Sequence, residues 1–571
     1  MSFKKFANLS ESNKLLLLSF VTGLCAGLAA VVLQSAIHLI QGKTGAAFWL
    51  PAVGMVLSLL IIKFIVKDNI GHGVTKVLVA ISRNESKIKP HNMWSSMLTS
   101  ALTIGFGGSV GAEAPIVYTG AAFGSNIGRK AGLSHRGVTI LVGCGAAGAV
   151  AGIFKAPMAG LMFTLEILLF NISMSSMVPL LVSTLTATMT SYILIGPNAA
   201  FQCALDPFAV SRVPWYLVLG VFCGFCSLYF QKTTLWLEDA IARRLKNPAA
   251  RTIVCILGLG LLIALFPPLF GEGYGYLGEL LRGQTPDCST PLSGLFASKW
   301  GIVAFFALVL LLKVFSMTLT NAGGGVGGTF GPTLFVGGIA GFVLARALNI
   351  GGAALPEQNF VLVGMAGLMA GVMKAPMTAI FLIAEITGGY DLFVPLIACA
   401  TVSFGVTRIW EKYSIYTKRI AQSGDLLTHD NDQAVLTLLR TEDLVRDKYP
   451  RLQSESTLGD IMKTVSESTA AVFPVVDAQG HFQGLVEMDD IRRHMFNTAE
   501  YGSIRVYNLM RQPQDIVMKD EKMDSVMGKF ERTEAWRLPV LDSSRRYIGF
   551  ISRSRILTAY REQLRELSNP D

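Results

Sequence analysis

Glu113 is the residue of this chain best placed to do chemistry. It stands in GAEAP, Gly111–Pro115, between apolar stretches, with no Lys or Arg nearby in sequence. A charged carboxylate at bilayer depth costs about 2.5–3.5 kcal/mol even on a lenient insertion scale. That cost argues against an idle residue; the simpler alternative is a carboxylate satisfied by the amides of a helix N-terminus. Its surroundings recur. GAEAPIVYTGAAFGSNIGR (Gly111–Arg129) returns 217 residues later as GTFGPTLFVGGIAGFVLAR (Gly328–Arg346), matching Pro115 to Pro332, Gly120 to Gly337, Gly124 to Gly341 and Arg129 to Arg346. A second pair, KAPMAGLMFTLEI from Lys155 and KAPMTAIFLIAEI from Lys374, repeats at an offset of 219. Duplicated, Gly-interrupted apolar segments point to a binding site at mid-membrane between two repeats. Gly-rich loops leading into apolar helices gather free backbone N–H groups, and each helix N-terminus carries about half a positive charge. Such a site holds a small anion without a full cation that would retain it. Pro115, Pro157, Pro332 and Pro376 each suit a first helical turn. For any one Gly or Pro, a close helix crossing is the plainer reading.

The elements that must position these residues lie in a membrane. Hydrophobic residues make up 51% of the chain and charged ones 15%, against about 25% charged in soluble domains. Apolar stretches such as Leu15–Ile37, Ile253–Phe270 and Ile302–Phe315 approach or reach the roughly 20 residues of a bilayer helix. Breaks at Gly105–Gly111 and Gly323–Gly331 are tolerable at that depth only inside protein or beside water. The start, MSFKKFANLSESNK, is polar and basic with no cleavage signature, so no removable signal peptide is expected. Lys4, Lys5 and Lys14 favour a cytoplasmic N-terminus. The net charge of +10 (49 basic less 39 acidic) fits loops and a tail facing anionic lipid, not a nucleic-acid partner. Cys223 and Cys226 form a CxxC inside the apolar run VFCGFCSLYF and read as packing residues. Lys155 and Lys374 each precede a glutamate, Glu166 or Glu385, by 11 residues. On a helix that is about 16 Å, too far for an ion pair; snorkelling to the interface is the plain reading.

After Trp410 the chain turns polar. Residues 411–453 read as a helical linker. Beyond it FPVVDAQGHFQGLVEMDDIR (Phe473–Arg492) recurs at an offset of 65 as LPVLDSSRRYIGFISRSRIL (Leu538–Leu557), each copy reading strand, turn, strand, helix. The tail resembles a tandem pair of CBS modules, at 454–505 and 506–571. Nucleotide-binding CBS copies carry Ser or Thr and then Asp three residues on. Here the first copy has Glu487 and Asp490 and the second Ser552 and Arg555, so each is half complete. Asp490 and Ser552 are the candidates for an adenine nucleotide, and a dimerising, stabilising module is the alternative.

The membrane half, 1–410, resembles the CLC family of chloride channels and proton/chloride antiporters. GHGVT (Gly71–Thr75) stands where the family has GSGIP, GAEAP where it has GREGP or GKEGP, GTFGP (Gly328–Pro332) matches GxFxP, and SIYTK (Ser414–Lys418) matches its tyrosine segment. The resemblance implies a polytopic α-helical fold with an internal inverted repeat of broken helices, assembled as a homodimer with one pore per subunit. It implies that Glu113 is the gate, a carboxylate that occupies an anion site and leaves when protonated. It implies anion contacts from Thr329 and Phe330 amides, the Tyr416 hydroxyl and the His72–Gly73 segment. His72 replaces a family Ser, and either its ring or only its backbone serves the anion. Ala112 and Ala114 replace the family's residues beside the gate. Family antiporters of the bacterial type carry two adjacent glutamates on a later helix; here they are Glu166 and Ile167. Glu166 is the candidate proton route, and Ile167 favours passive conduction over antiport without excluding it. The expectation is therefore a multi-pass bacterial plasma-membrane protein with a cytoplasmic tail. It moves chloride and related small anions, passively or coupled to protons, and requires no cofactor. A ligand sensor that transports little is the remoter alternative. No paired carboxylates beside a nucleophile and no clustered metal ligands suggest an enzyme or a metal site.

Overall fold

The computed structural model describes residues 10–45, 47–83, 86–168, 174–196, 201–286, 293–418 and 439–568. It divides into two units, Met1–Leu426 and Leu427–Asp571. Lys4, Lys5 and 419–438 of the expected linker lie outside the described residues.

The first unit is helical. Its helices are α1 (Glu11–Thr44), α2 (Leu50–Leu60), α3 (Gly73–Arg83), α4 (Ser95–Gly105), α5 (Glu113–Lys130), α6 (His135–Phe154), α7 (Pro157–Ile167) and α8 (Met174–Ile195), then α9 (Val213–Arg244), α10 (Pro248–Leu265), α11 (Tyr274–Leu281), α12 (Lys299–Ala322), α13 (Phe330–Ile350), α14 (Glu357–Met373), α15 (Pro376–Ile386) and α16 (Phe393–Trp410). Among the described residues, eight are long and apolar enough to cross a bilayer. The 34 residues of α1 reach about 51 Å, more than a hydrocarbon core of about 30 Å. The 11 residues of α7 and of α15 reach about 16 Å, half of that core. Many flanks of these helices, such as Leu185, Ile193, Leu257 and Leu261, are exposed apolar surface, which suits lipid.

The two repeats meet through a two-fold relation that the hydrogen bonds spell out. Gly111 N donates to Gly328 O at 2.9 Å, and Gly328 N donates to Gly111 O at 2.7 Å. These two glycines are each other's mates in the repeat. Ser109 N donates to Thr320 Oγ1 (3.2 Å), and its mate Val326 N donates to Thr103 Oγ1 (3.0 Å). A contact exchanged reciprocally between equivalent residues defines a two-fold axis. The helices that follow the glycines, α5 and α13, start from this point. α7 and α15 obey the same axis and run antiparallel, so the repeat is inverted. The breaks are enclosed: 107–122 and 325–343 are buried throughout, as irregular backbone at membrane depth requires.

Packing within each repeat is also matched. Gly120 lies against Gly145 O and Gly124 against Leu141 O; in the second copy Gly337 lies against Gly364 O and Gly341 against Phe360 O. Small residues four apart let α5 approach α6, and α13 approach α14, backbone to backbone. α6 and α14 each end on a lysine in left-handed conformation, Lys155 (φ 57°) and Lys374 (φ 59°), before α7 and α15 begin.

The second unit holds two three-stranded sheets. β1 (Leu452–Gln453) pairs in parallel with β2 (Val472–Val476), which pairs antiparallel with β3 (Phe482–Glu487). β4 (Val517–Met518), β5 (Arg537–Leu541) and β6 (Tyr547–Ser552) repeat the order and register, including the irregularity at Val475/Val476 and Val540/Leu541. The helices are α17 (Thr441–Leu444), α18 (Leu458–Ser466), α19 (Met488–Arg492), α20 (Val506–Leu509), α21 (Met523–Thr533) and α22 (Arg553–Ser568). The modules exchange their leading segments. Arg446 pairs with Phe550 in the second module, and its mate Arg511 pairs with Leu485 in the first. Leu444 is buried in the second core and Val506 in the first. The sequence-based boundaries therefore shift: Thr441–Arg446 and Leu452–Gln453, read as linker, belong to the modules. Two-residue strands are too short to show an alternating pattern, and nothing local marks a crossover.

The matched glycines yield a stability prediction. Gly124→Val and Gly341→Val should each be strongly destabilised, since overpacking costs about 1–3 kcal/mol even where side chains can shift, and here the obstacle is backbone. Gly275→Ala, where nothing lies within 4 Å of an added Cβ, should unfold close to wild type. Thermal unfolding in detergent, followed by gel filtration, checks the contrast.

Candidate anion site

Three helix N-termini converge on Glu113. Glu113 opens α5, Phe330 opens α13, and Gly73 opens α3. The Gly111–Gly328 exchange brings the first two together. The third comes close because Gly73 has no side chain: a Cβ there would strike Ala114 O and Tyr118. Their partial positive charges add.

The Glu113 side chain is almost fully buried, 3% exposed. Its Oε1 accepts from the Tyr274 hydroxyl at 2.8 Å and its Oε2 from Gly331 N at 3.2 Å. The carboxylate thus sits on an amide of the α13 N-terminus. Thr329 Oγ1 donates to the Tyr416 hydroxyl at 3.3 Å, both residues being buried. Phe330, also buried, lies between Phe154 and Phe163, with ring centroids at 5.5 and 6.4 Å. Thr75 Oγ1 donates to Tyr416 O at 3.4 Å, which ties the α3 segment to the tyrosine segment. The sequence candidates Gly73, Glu113, Thr329, Phe330 and Tyr416 therefore share one locality. His72 differs. It is exposed and left-handed (φ 56°), a conformation that a β-carbon makes costly and that hands Gly73 to the helix start.

A cavity of about 1190 Å³ reaches Glu113 from one side, lined also by Glu272, Tyr274, Phe154 and Phe201. Thr329 and Tyr416 do not line it. Sequence reasoning passed over three polar groups here. Glu272 Oε1 accepts from Ala112 N at 3.1 Å. Tyr274 holds Glu113. Lys313 is wholly buried, donates from Nζ to Gly271 O at 2.7 Å and lies 4.9 Å from the Phe335 ring centroid. The signal was present: apart from Lys299 at its start, Lys313 is the lone charge in α12.

Glu166, the candidate proton route, lies elsewhere. Its carboxylate accepts from Met377 N (2.9 Å), Thr378 N (2.7 Å) and Thr378 Oγ1 (2.7 Å) at the α15 N-terminus. Its mate Glu385 accepts from Met158 N (3.0 Å) and Ala159 N (2.9 Å) at the α7 N-terminus. The two short helices cap each other, and among the described residues no hydrogen bond joins Glu166 to Glu113. Ile167 is buried in the main core. Lys155 Nζ donates to Gly196 O at 2.7 Å, and Lys374 Nζ lies 5.8 Å from the Phe404 ring.

In the tail, both nucleotide candidates cap helices. Asp490, its side chain 5% exposed, pairs with Arg511 and accepts from Glu487 N at 3.0 Å in a capping box. Ser552 Oγ accepts from Arg555 N at 3.4 Å.

Residues 53–408 match the family described as voltage gated chloride channel. The chain belongs to this family, the CLC proteins. Residues 442–497 and 506–562 match the CBS domain. Among curated relatives, a ClcB-like chloride channel protein of Ralstonia nicotianae is 27% identical over 387 residues, 66% of this chain and 86% of that one. Chloride channel protein CLC-f of Arabidopsis thaliana is 24% identical, covering 70% of this chain and 57% of its own length. Solved CLC structures share the fold. A slow cyanobacterial Cl⁻/H⁺ antiporter (TM-score 0.61, 21% identical) covers 73% of this chain and 98% of its own. A CLC-type fluoride/proton antiporter (TM-score 0.61, 23% identical) covers 71% and 97%. A eukaryotic CLC transporter (TM-score 0.59, 16% identical) covers 95% and 97%.

The mutual capping of α7 and α15 is testable. Glu166→Ala and Glu385→Ala should each lower stability by about 1–2 kcal/mol, the scale of a lost helix cap. Glu166→Gln, which keeps an acceptor, should lose less. Unfolding midpoints in detergent give the ranking.

Proposed function

We propose that this CLC protein carries chloride across the membrane by passive conduction, gated by Glu113 and modulated by its CBS tail. The observation that supports it most is the Glu113 carboxylate bound at the Gly331 amide. An anion and a carboxylate compete for the same donors, so the path opens when Glu113 takes a proton and withdraws. A neutral acid no longer has the charge that the converging helix ends favour. Chloride then meets backbone N–H groups, those of Thr329 and Phe330 among them, and the Tyr416 hydroxyl, ligands weak enough to release it.

Passive conduction is favoured over antiport by the second side of the protein. Ile167 offers no proton acceptor, and Glu166 is engaged by three donors. The likeness to antiporter structures concerns the fold. By the family pattern the protein works as a homodimer in the bacterial plasma membrane with its tail in the cytoplasm. Adenine-nucleotide binding by the tail would need Asp490 or Ser552 to leave a helix cap.

Purified protein in liposomes, followed with chloride and pH electrodes together, tests this reading. A chloride gradient should dissipate with little uphill proton movement; stoichiometric proton pumping would overturn passive conduction in favour of antiport. Glu113→Gln, a mimic of the protonated gate, should retain flux and lose most of its pH dependence. Flux that keeps the wild-type pH profile would contradict the gate. A chain ending after about Gln422 that stays folded by gel filtration should still conduct, because the anion-site residues all precede that point. Loss of flux from it would make the tail part of conduction.

A further inference from the structure

Glu272 has no place in the gate described so far, yet it shares a cavity with Glu113. Its carboxylate accepts from Ala112 N, the amide immediately before Glu113. Two residues on, Tyr274 donates to Glu113 itself. One short loop, Gly271–Tyr274, thus touches the α5 N-terminus twice. The loop is pinned. Gly271 N donates to Gly107 O at 2.9 Å, Gly271 O accepts from Lys313 Nζ, and Gly273 (φ 87°) lies flat against Phe335 with no room for a Cβ. Glu272 is half-buried and faces the cavity, whereas Glu113 behind it is almost sealed.

We propose that Glu272 is a second titrating carboxyl of the gate, which receives protons from the cavity and sets the pH at which Glu113 is released. This rests on the transport reading above. Three ionisable groups gather here: Glu113 of α5, Glu272 bound to the amide just before it, and Lys313 of α12 bound to the carbonyl just before Glu272. Tyr274 faces the same space from α11, and His38 of α1, Glu279 of α11 and Arg282 just past its end also line the cavity. When the two carboxylates and the ammonium are all ionised, the cluster carries one net negative charge. One proton from cavity water neutralises it. That proton first meets Glu272, the more exposed acid, and then passes to Glu113 through cavity water. Glu113, now neutral, leaves Gly331 N, and Glu272, again ionised, returns to Ala112 N. Two acids held at adjacent residues of one helix start titrate as a pair when they interact, so removing one changes the pH response of the other.

The test is chloride efflux from liposomes over a range of about pH 4–8, a span covering shifted carboxyl and ordinary His titration. It uses the full chain as wild type, Glu272→Gln, Glu113→Gln and the double variant. Glu272→Gln should conduct with its flux–pH midpoint displaced by about one unit or more, the scale of a lost charge neighbour. In the Glu113→Gln background, Glu272→Gln should add nothing, since it acts through the gate. Superimposable wild-type and Glu272→Gln profiles would overturn the inference. So would an equal loss of flux at every pH in both backgrounds, which marks a structural role. If Glu272→Gln is not recovered folded, Glu272→Asp serves: it keeps the acid but draws it back from Ala112 N. Its profile should shift, and a wild-type profile overturns the inference. Absence of flux from folded wild type would overturn the transport reading itself, and this inference with it.

Discussion

The exchange of two hydrogen bonds between Gly111 and Gly328 is the contact on which the membrane half depends. It joins two broken segments at membrane depth, where an unpaired amide costs several kcal/mol. It also sets α5 and α13 end to end, so that two positive helix termini face one point. The rest of the architecture keeps that point in place. Thr103 and Thr320 satisfy the neighbouring amides across the axis, and the glycine contacts of α5 with α6 and of α13 with α14 hold the helices that carry it. Glu166 and Glu385 fasten the short helices α7 and α15 by the same reciprocal logic. The anion site proposed here needs this rigidity, because backbone ligands cannot adjust as side chains can.

The tail repeats the device between its two modules. His481 and its mate Arg546 form an isolated bridge, Phe482 N donates to Arg545 O, and Tyr547 N donates to Gly480 O. The exchanged segments at Arg446 and Arg511 make each module incomplete without the other.

Much of this was legible in the sequence because it is duplicated. A Gly or Pro alone is ambiguous, but the same spacing twice removes most alternatives, and it pointed to the Glu113 segment and the helix starts. Thr329, Phe330, Tyr416 and Gly73 came from family motifs. Features without a repeat mate stayed hidden. Glu272 sits in GEGYG, where nothing distinguishes a cavity carboxyl from a loop residue, and Tyr274 reads as one more aromatic. Lys313 was visible as a lone charge in an apolar helix, but its partner, a carbonyl 42 positions away, was not. The mutual capping of α7 and α15 links residues 211 and 227 positions apart. Spacing along one helix says nothing about that. The two-residue strands and the crossover between CBS modules are set by tertiary pairing, which local pattern does not encode.

The central claim is that the Glu113 carboxylate and a permeating anion occupy the same amide site. Bromide located by its anomalous scattering, in crystals of wild type and of Glu113→Ala at neutral pH, measures this most directly. The account predicts bromide at the Gly331 amide in Glu113→Ala and none there in wild type, where the carboxylate holds the place. Bromide at that amide in both proteins, or in neither, would contradict it.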